Sequence, residues 1–302
     1  MKVVVVALGG NALLRRGEPL DADVQRANVK VAAEAIAAIA REHRVVLTHG
    51  NGPQVGLLAL QNEAYADVSP YPLDVLDAES EGMVGYLLEQ ELGRHLHRDR
   101  LATLLTQVIV DAHDPAFQEP SKFVGPVYDE TTARRLAHAR DWSIARDGDG
   151  WRRVVPSPEP RRIVELETIR ILVEHDVVVT CVGGGGIPVV ADGCGGLRGV
   201  EAVIDKDLAA ALLANELHAH ALVMLTDVDG VYEHWGHPDA RLLRDESPAR
   251  LRAMGLPAGS MGRKAEAACR FVDAGGAFAA IGSLDRAAAI ARGEAGTVVR
   301  HR

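Results

Sequence analysis

Aromatic residues are scarce in this chain, 4% of 302 residues, so the core has to rest on Val, Leu, Ile and Ala. Cysteine is scarcer still: Cys181, Cys194 and Cys269 are the three. An odd, sparse set is not a disulfide framework, and the lack of a CxxC pair argues against a zinc site. Cys181 stands inside an apolar run and reads as a small buried hydrophobe. The apolar run opening at Val3 is too short for a membrane span, and no signal-peptide layout is present, so a reducing cytoplasm is the expected compartment. Basic charge is in deficit as well. A formal net charge of −9 argues against broad binding to nucleic acid or anionic membranes. A chain so acidic must gather its few useful cations locally if its ligand is an anion. Several common signatures are missing too: GxxxxGK(S/T), a GxGxxG after the first strand, HExxH, and a serine nucleophile elbow.

What is present is ordinary globular composition, 47% hydrophobic and 25% charged. The length suits one large α/β domain or two smaller ones. Strand-like and helix-like segments alternate. Strands are expected at 3–8, 45–48, 101–110, 177–182, 221–228, 277–281 and 296–299. Helical spacing covers 29–40, 54–62, 77–97, 162–174, 206–217, 263–273 and 285–292. Such alternation predicts an α/β fold with a mostly parallel central sheet covered by helices on both faces. Residues 114–160 break the rhythm, being rich in proline and charge. Within them Asp147-Gly148-Asp149-Gly150 separates two strand-like runs, a hairpin signal. The segment reads as an inserted, protruding β-rich subdomain, because a plain loop of this length is uncommon.

Three expected strands end in glycine-rich turns: Gly9-Gly10-Asn11, Gly50-Asn51-Gly52 and Gly183 to Gly186, which contains Gly184 and Gly185. Glycine lets backbone N–H groups approach an anion without a side chain in the way. Several such turns at the carboxyl ends of neighbouring strands make one edge of a sheet an anion-binding rim. Pro53 suits the first turn of a helix, so the amides before it would point at that helix's anion site. Three lysines stand near such places. Lys206 and Lys264 open helices, where a cation opposes the macrodipole unless an anion is bound. Lys122 lies in the insert. Asp207 could hold Lys206, and Asp205 reads equally well as an N-cap. Thr226-Asp227-Val228 ends another strand in a turn that could border a nucleotide. His49 reads as a structural hydrogen-bonding group rather than a general base.

At this point the chain resembles a known family. ALGGNA at 7–12, THGNGPQVG at 48–56, WRRVVPSP at 151–158, GGGGIP at 183–188, GVEAVIDKD at 199–207, LTDVD at 225–229 and GSMG at 259–262 are similar to carbamate kinase motifs. The likeness runs the whole chain, to the closing 296–299, and carbamate kinases belong to the wider amino acid kinase superfamily. The resemblance implies a single three-layer αβα sandwich domain over 1–302 with the 114–160 subdomain inserted, working as a homodimer. It implies reversible phosphoryl transfer from ATP to carbamate, giving ADP and carbamoyl phosphate, with Mg²⁺ and usually run toward ATP in arginine breakdown. Relatives acting on larger acids carry a lysine before the leucine of the first glycine turn, where this chain has Ala7. In carbamate kinases the missing cation comes from the protruding subdomain, and Lys122 occupies the matching place.

The roles implied follow from charge. Carbamate is already an anion, so the difficulty is bringing it to a polyanionic phosphate. Gly9, Gly10, Asn11, Gly50, Asn51, Gly52, Gly184 and Gly185 are the expected acceptor and phosphate contacts. Lys122 and Lys206 are expected to flank the moving phosphoryl group, with Asp207 orienting the lysines and the insert closing over the substrate. Lys206 and Lys264 face the nucleotide phosphates, and Thr226, Asp227, Val228, Tyr232 and Met261 border the nucleotide. No dedicated carboxylate cage for the magnesium is visible. The rival readings are a kinase of a larger acid, such as acetylglutamate or aspartate, and a nucleotide sensor without turnover.

Overall fold

The computed structural model describes residues 1–10, 13–15, 17–65, 67–257 and 259–301. Among them the frame is an eight-stranded sheet. Across it run Asp245–Glu246, Thr297–Val299, Phe278–Ser283, Ala221–Thr226, Val3–Leu8, Arg44–His49, Val178–Thr180 and Leu101–Thr103. Neighbours are parallel except Thr297–Val299, which opposes Phe278–Ser283. Near-continuous β-branched runs such as Val3–Leu8 suit strands covered on both faces. Alternate residues sort into two cores. Val5, Ala7, Val46, Leu222, Met224 and Ile281 pack with Ile169, Val173, Leu213, Ala267 and Phe271, from helices Leu166–Glu174, Lys206–Glu216 and Ser260–Asp273. Val4, Val6, Leu8, Leu47, Val223 and Leu225 pack with Val29, Ile36, Val84, Leu88 and Ile290, from helices Ala22–Ala40, Leu73–Leu92 and Ala287–Ala291. The result is a helix–sheet–helix sandwich.

The structure departs from the sequence reading in several places. The apolar run 101–110 is two strands, not one. Leu104 N–H makes the last bond to the main sheet, at Thr180 O (2.9 Å), and Thr106 O then accepts Ile187 N–H (2.8 Å). The second piece, Gln107–Ile109, joins Leu197–Gly199, Ile187–Ala191 and Arg162–Ile163 in a separate four-stranded sheet. Arg162–Ile163 is therefore strand, and its helix starts only at Leu166. Hydrophobicity alone cannot mark a change of sheet inside one apolar run.

The insert holds a three-stranded sheet, ordered Lys122–Tyr128, Gly150–Val155, Ser143–Asp147. Asp147 pairs with Gly150, so Gly148 and Asp149 form the expected two-residue hairpin turn, with Gly148 at φ +62°. Between the strands lies an unexpected helix, Glu130–Arg140, whose Asp129 cap accepts Thr132 N–H (2.9 Å). It buries only Ala133 and Leu136, too little apolar periodicity to see in sequence. The insert meets the main body on helix Gly52–Ala64, where a Cβ on Gly56 would lie 2.4 Å from Gly125 Cα. Val203 N–H also bonds Pro156 O (2.9 Å).

Candidate active site

Four parallel strands of the main sheet, Val3–Leu8, Arg44–His49, Val178–Thr180 and Ala221–Thr226, end at one edge, so the turns that follow them form a rim. Gly9 N–H bonds Leu225 O (2.8 Å) and Gly50 N–H bonds Leu8 O (3.2 Å), which ties three of the turns together. A side chain at Gly50 would meet Gly10 N at 3.3 Å and Lys206 Cε at 3.4 Å. Gly10, Gly50 and Lys206 thus surround one spot. Gly52 opens helix Gly52–Ala64 with Pro53 in its first turn, and a Cβ there would meet nothing. Asn11 lies outside the described residues.

The three lysines converge on two aspartates. Asp205 caps helix Lys206–Glu216: its Oδ1 accepts Asp207 N–H (3.0 Å) and Leu208 N–H (3.3 Å). Its Oδ2 takes Lys122 Nζ at 2.9 Å. Asp207, buried in the first turn, takes Lys206 Nζ on Oδ1 (2.6 Å) and Lys264 Nζ on Oδ2 (2.9 Å). Lys264 sits in the second turn of helix Ser260–Asp273, so the cations come from three separated segments. Three ammonium groups against two carboxylates leave a surplus of one positive charge. Burial and the neighbouring Lys264 cation bring Lys206 down to about 8, against the pull of Asp207. Burial works against the Asp207 carboxylate, but its two lysines outweigh it and hold its pKa far down. Burial likewise opposes the charge on Asp205 and Lys264. Lys122 wins at the first and lowers it, and Asp207 wins at the second and raises it. The surplus positive charge suits an anionic ligand.

Behind the rim lies a buried polar layer that sequence reading missed. The Asn51 amide turns inward and donates to Asp77 Oδ1 (3.1 Å) and Ser80 Oγ (2.8 Å). Glu81 accepts Gly183 N–H (2.6 Å) and Thr106 N–H (3.0 Å). Burial raises Asp77 well above the carboxylate range and lifts Glu81 to about 8. Asp77, Ser80 and Glu81 fall at i, i+3 and i+4 on the buried, mostly apolar face of a helix, and this spacing was the available signal. His49, fully buried and lowered to about 4 by desolvation, is a neutral ring against Gly50 O (3.2 Å), the structural role expected of it. The glycine run 183–186 is itself buried. A Cβ on Gly184 would strike the Asn51 side chain, and one on Gly185 would sit 2.7 Å from Ile204 O. With φ +68° and +109°, both positions require glycine on packing and backbone grounds.

At the end of strand Ala221–Thr226, Thr226 Oγ1 donates to Asp227 Oδ1 (3.1 Å), and Val228 follows in the same turn. Tyr232 begins a short hairpin and packs on Trp235, ring centroids 5.1 Å apart. Met261 lies one turn before Lys264 and packs against the core. Among the described residues no three His, Cys, Asp or Glu side chains gather as a metal cage.

This sandwich and its cationic rim define a phosphotransferase class: the chain belongs to the amino acid kinase family, whose profile matches residues 2–283. Within that family it stands with the carbamate kinases. It is 56% identical to the carbamate kinase of Rhizobium meliloti over 299 residues, covering 98% of this chain and 92% of that protein. It is 52% identical to that of Haemophilus influenzae, covering 97% and 95%. The solved carbamate kinase of Giardia lamblia bound to AMP-PNP superposes with a TM-score of 0.90 at 42% identity, covering 99% of this chain and 98% of that one.

Proposed function

We propose that the protein catalyses H₂N–COO⁻ + ATP ⇌ H₂N–CO–OPO₃²⁻ + ADP, and that it runs toward ATP in arginine breakdown, as a cytoplasmic homodimer. The observation that carries this reading is the convergence of Lys122, Lys206 and Lys264 on the Asp205–Asp207 pair. A carboxylate-type acceptor needs no general base. A carbamate oxygen forms the new bond to the γ-phosphorus, and the bond to the ADP oxygen breaks with its electron pair leaving on ADP. The protein's task is to bring two anions together and to neutralise the migrating group. Backbone amides of Gly10 and Gly52 face the acceptor and the transferring group, Gly9 and Gly50 shape the rim with their own amides bonded to Leu225 O and Leu8 O, and Lys122 and Lys206 flank that group. Lys264 meets the nucleotide phosphates, and Asp207 fixes the directions of two ammonium groups through charge-assisted bonds. Thr226, Asp227, Val228, Tyr232 and Met261 border the nucleotide. Magnesium fits as part of the MgATP substrate, because the oxygens of Asp205 and Asp207 are already committed to lysines and helix amides.

Residues 114–160 serve as an insert on a single catalytic domain that reaches over the substrate, and the ion pair from Lys122 to the main body supports that placement. No described helix is long and apolar enough to cross a membrane. The purified protein, mixed with ADP, magnesium and carbamoyl phosphate, is expected to form ATP. No ATP from carbamoyl phosphate, with ATP formed from an acyl phosphate of a larger acid instead, would overturn the assignment.

A further inference from the structure

The two carboxylates of the lysine nest are not equivalent. Asp207 is buried, and among the described residues only side-chain ammonium groups lie on its oxygens. Removing either lysine would strand part of a buried charge, which is strongly unfavourable. Asp205 is different. Its Oδ1 is held by two amides at the start of helix Lys206–Glu216, where the helix dipole also favours a negative charge. Only Oδ2 serves Lys122. The Lys122 side chain is 33% exposed against 10% for Asp205, and it reaches across from the insert on a flexible four-carbon arm. Lys122 can therefore leave while the helix continues to neutralise the carboxylate behind it. Lys206 and Lys264 have no such freedom.

We propose that Asp205 is a positioning residue, the resting partner of Lys122. It holds the ammonium group and the insert down on the rim in the free enzyme, and releases that group to the phosphoryl when the substrates bind. This rests on the phosphoryl-transfer reading for its last step; the resting contact stands apart from it. The acceptor site is thereby kept assembled without being filled, and the incoming dianion displaces a single carboxylate oxygen rather than entering an unpaired cation's hydration shell.

The chain makes the test direct, because it has only five lysines: Lys2, Lys30, Lys122, Lys206 and Lys264. Amine acylation by acetic anhydride, read peptide by peptide in a mass spectrometer, follows Lys122 against exposed Lys30 as the dose reference. Asp205→Asn keeps a good helix cap and removes the charge. In the ligand-free variant Lys122 is expected to acylate roughly fivefold faster than in the wild type, the scale of a half-exposed ion pair. With ADP, magnesium and carbamoyl phosphate present, it should be protected in both proteins. The steady-state signature is a lowered KM for carbamoyl phosphate, roughly fivefold, because a contact broken on binding stabilises only the free enzyme, with kcat held within about twofold. Equal acylation rates in the free variant and the free wild type overturn the proposal. A fall in kcat with KM unchanged overturns it too, since Asp205 would then act on the transition state. Acylation is read without turnover, so a chain that made no ATP would refute the kinase reading and leave the resting contact separately decided.

Discussion

Lys206 joins most of the site's chemistry in one side chain. It is bonded to Asp207 at 2.6 Å, stands beside the Gly10 and Gly50 backbone, and is brought down to about 8 by burial and by Lys264. The sign of the pH effect follows: above about 8 the free enzyme loses the ammonium group, so kcat/KM for carbamoyl phosphate should fall along an alkaline limb beginning there. Bound phosphate stabilises the charged form, so the limb in kcat should sit at higher pH. Lys206→Ala should lower turnover roughly 10²–10³-fold and remove that limb from what activity remains. A wild-type profile flat to pH 10, or near-normal turnover in the variant, would refute the role. Lys206 and Lys264 were legible in sequence because cations at helix N-termini oppose the dipole and call for an anion, whereas Lys122, in a strand of the insert, was marked only by the family resemblance. Asp205 was visible only as a cap, since nothing in the sequence places Lys122 beside it. The Glu81 layer was hidden because buried carboxylates on a helix look like solvated ones until a fold encloses them. The glycine run 183–186 stood out in sequence as an expected phosphate contact, and in the structure it is buried. Its glycines are nevertheless required by Asn51, Ile204 and the positive φ angles.

Between elements, the decisive contact is helix Gly52–Ala64 against strand Lys122–Tyr128. The close approach of Gly56 to Gly125 sets how near the insert lies to the rim. Gly56→Ala puts a methyl 2.4 Å from backbone that cannot rotate away. The substitution itself favours the helix by roughly 0.5–1 kcal/mol, so the strain is relieved by moving the insert. Misplacement by about 1 Å at a transfer site can lower rate on the order of 100-fold. The variant should thus lose between roughly 10- and 100-fold in kcat while its melting temperature stays within a few degrees of wild type. Unchanged kcat would show that the height of the insert does not govern transfer. The parallel frame was readable from the alternation of Val3–Leu8, Arg44–His49 and Ala221–Thr226 with amphipathic helices, because apolar period and length carry that information. The second sheet and helix Glu130–Arg140 were not readable. The first hides inside an apolar run shared with the main sheet, and the second buries too few side chains to leave a period.

At the scale of the whole molecule the main sheet ends in Leu101–Thr103, a strand that has a neighbour on one side only among the described residues. A free edge of this kind is a template for pairing with another chain and is normally covered. Beside it Tyr86 and Leu105 are 53% and 54% exposed. Helix Leu73–Leu92 is pinned next to the edge, since a Cβ on Gly85 would lie 2.3 Å from the Thr103 methyl group. Edge, Tyr86 and Leu105 together make a surface on which a second copy could continue the sheet about a twofold axis and bury both apolar side chains. The proposed homodimer can be tested at this edge. The wild-type protein should sediment at about twice its 32.3 kDa chain mass, and Leu105→Glu, which sets like charges against each other across such an axis, should shift it to the monomer at micromolar concentration. The lysine nest lies at the carboxyl ends of the strands rather than at this lateral edge, so the monomeric variant should keep its Lys122 acylation rate. A wild-type monomer would remove the homodimer from the reading, and a Leu105→Glu dimer as tight as wild type would move the interface to another face.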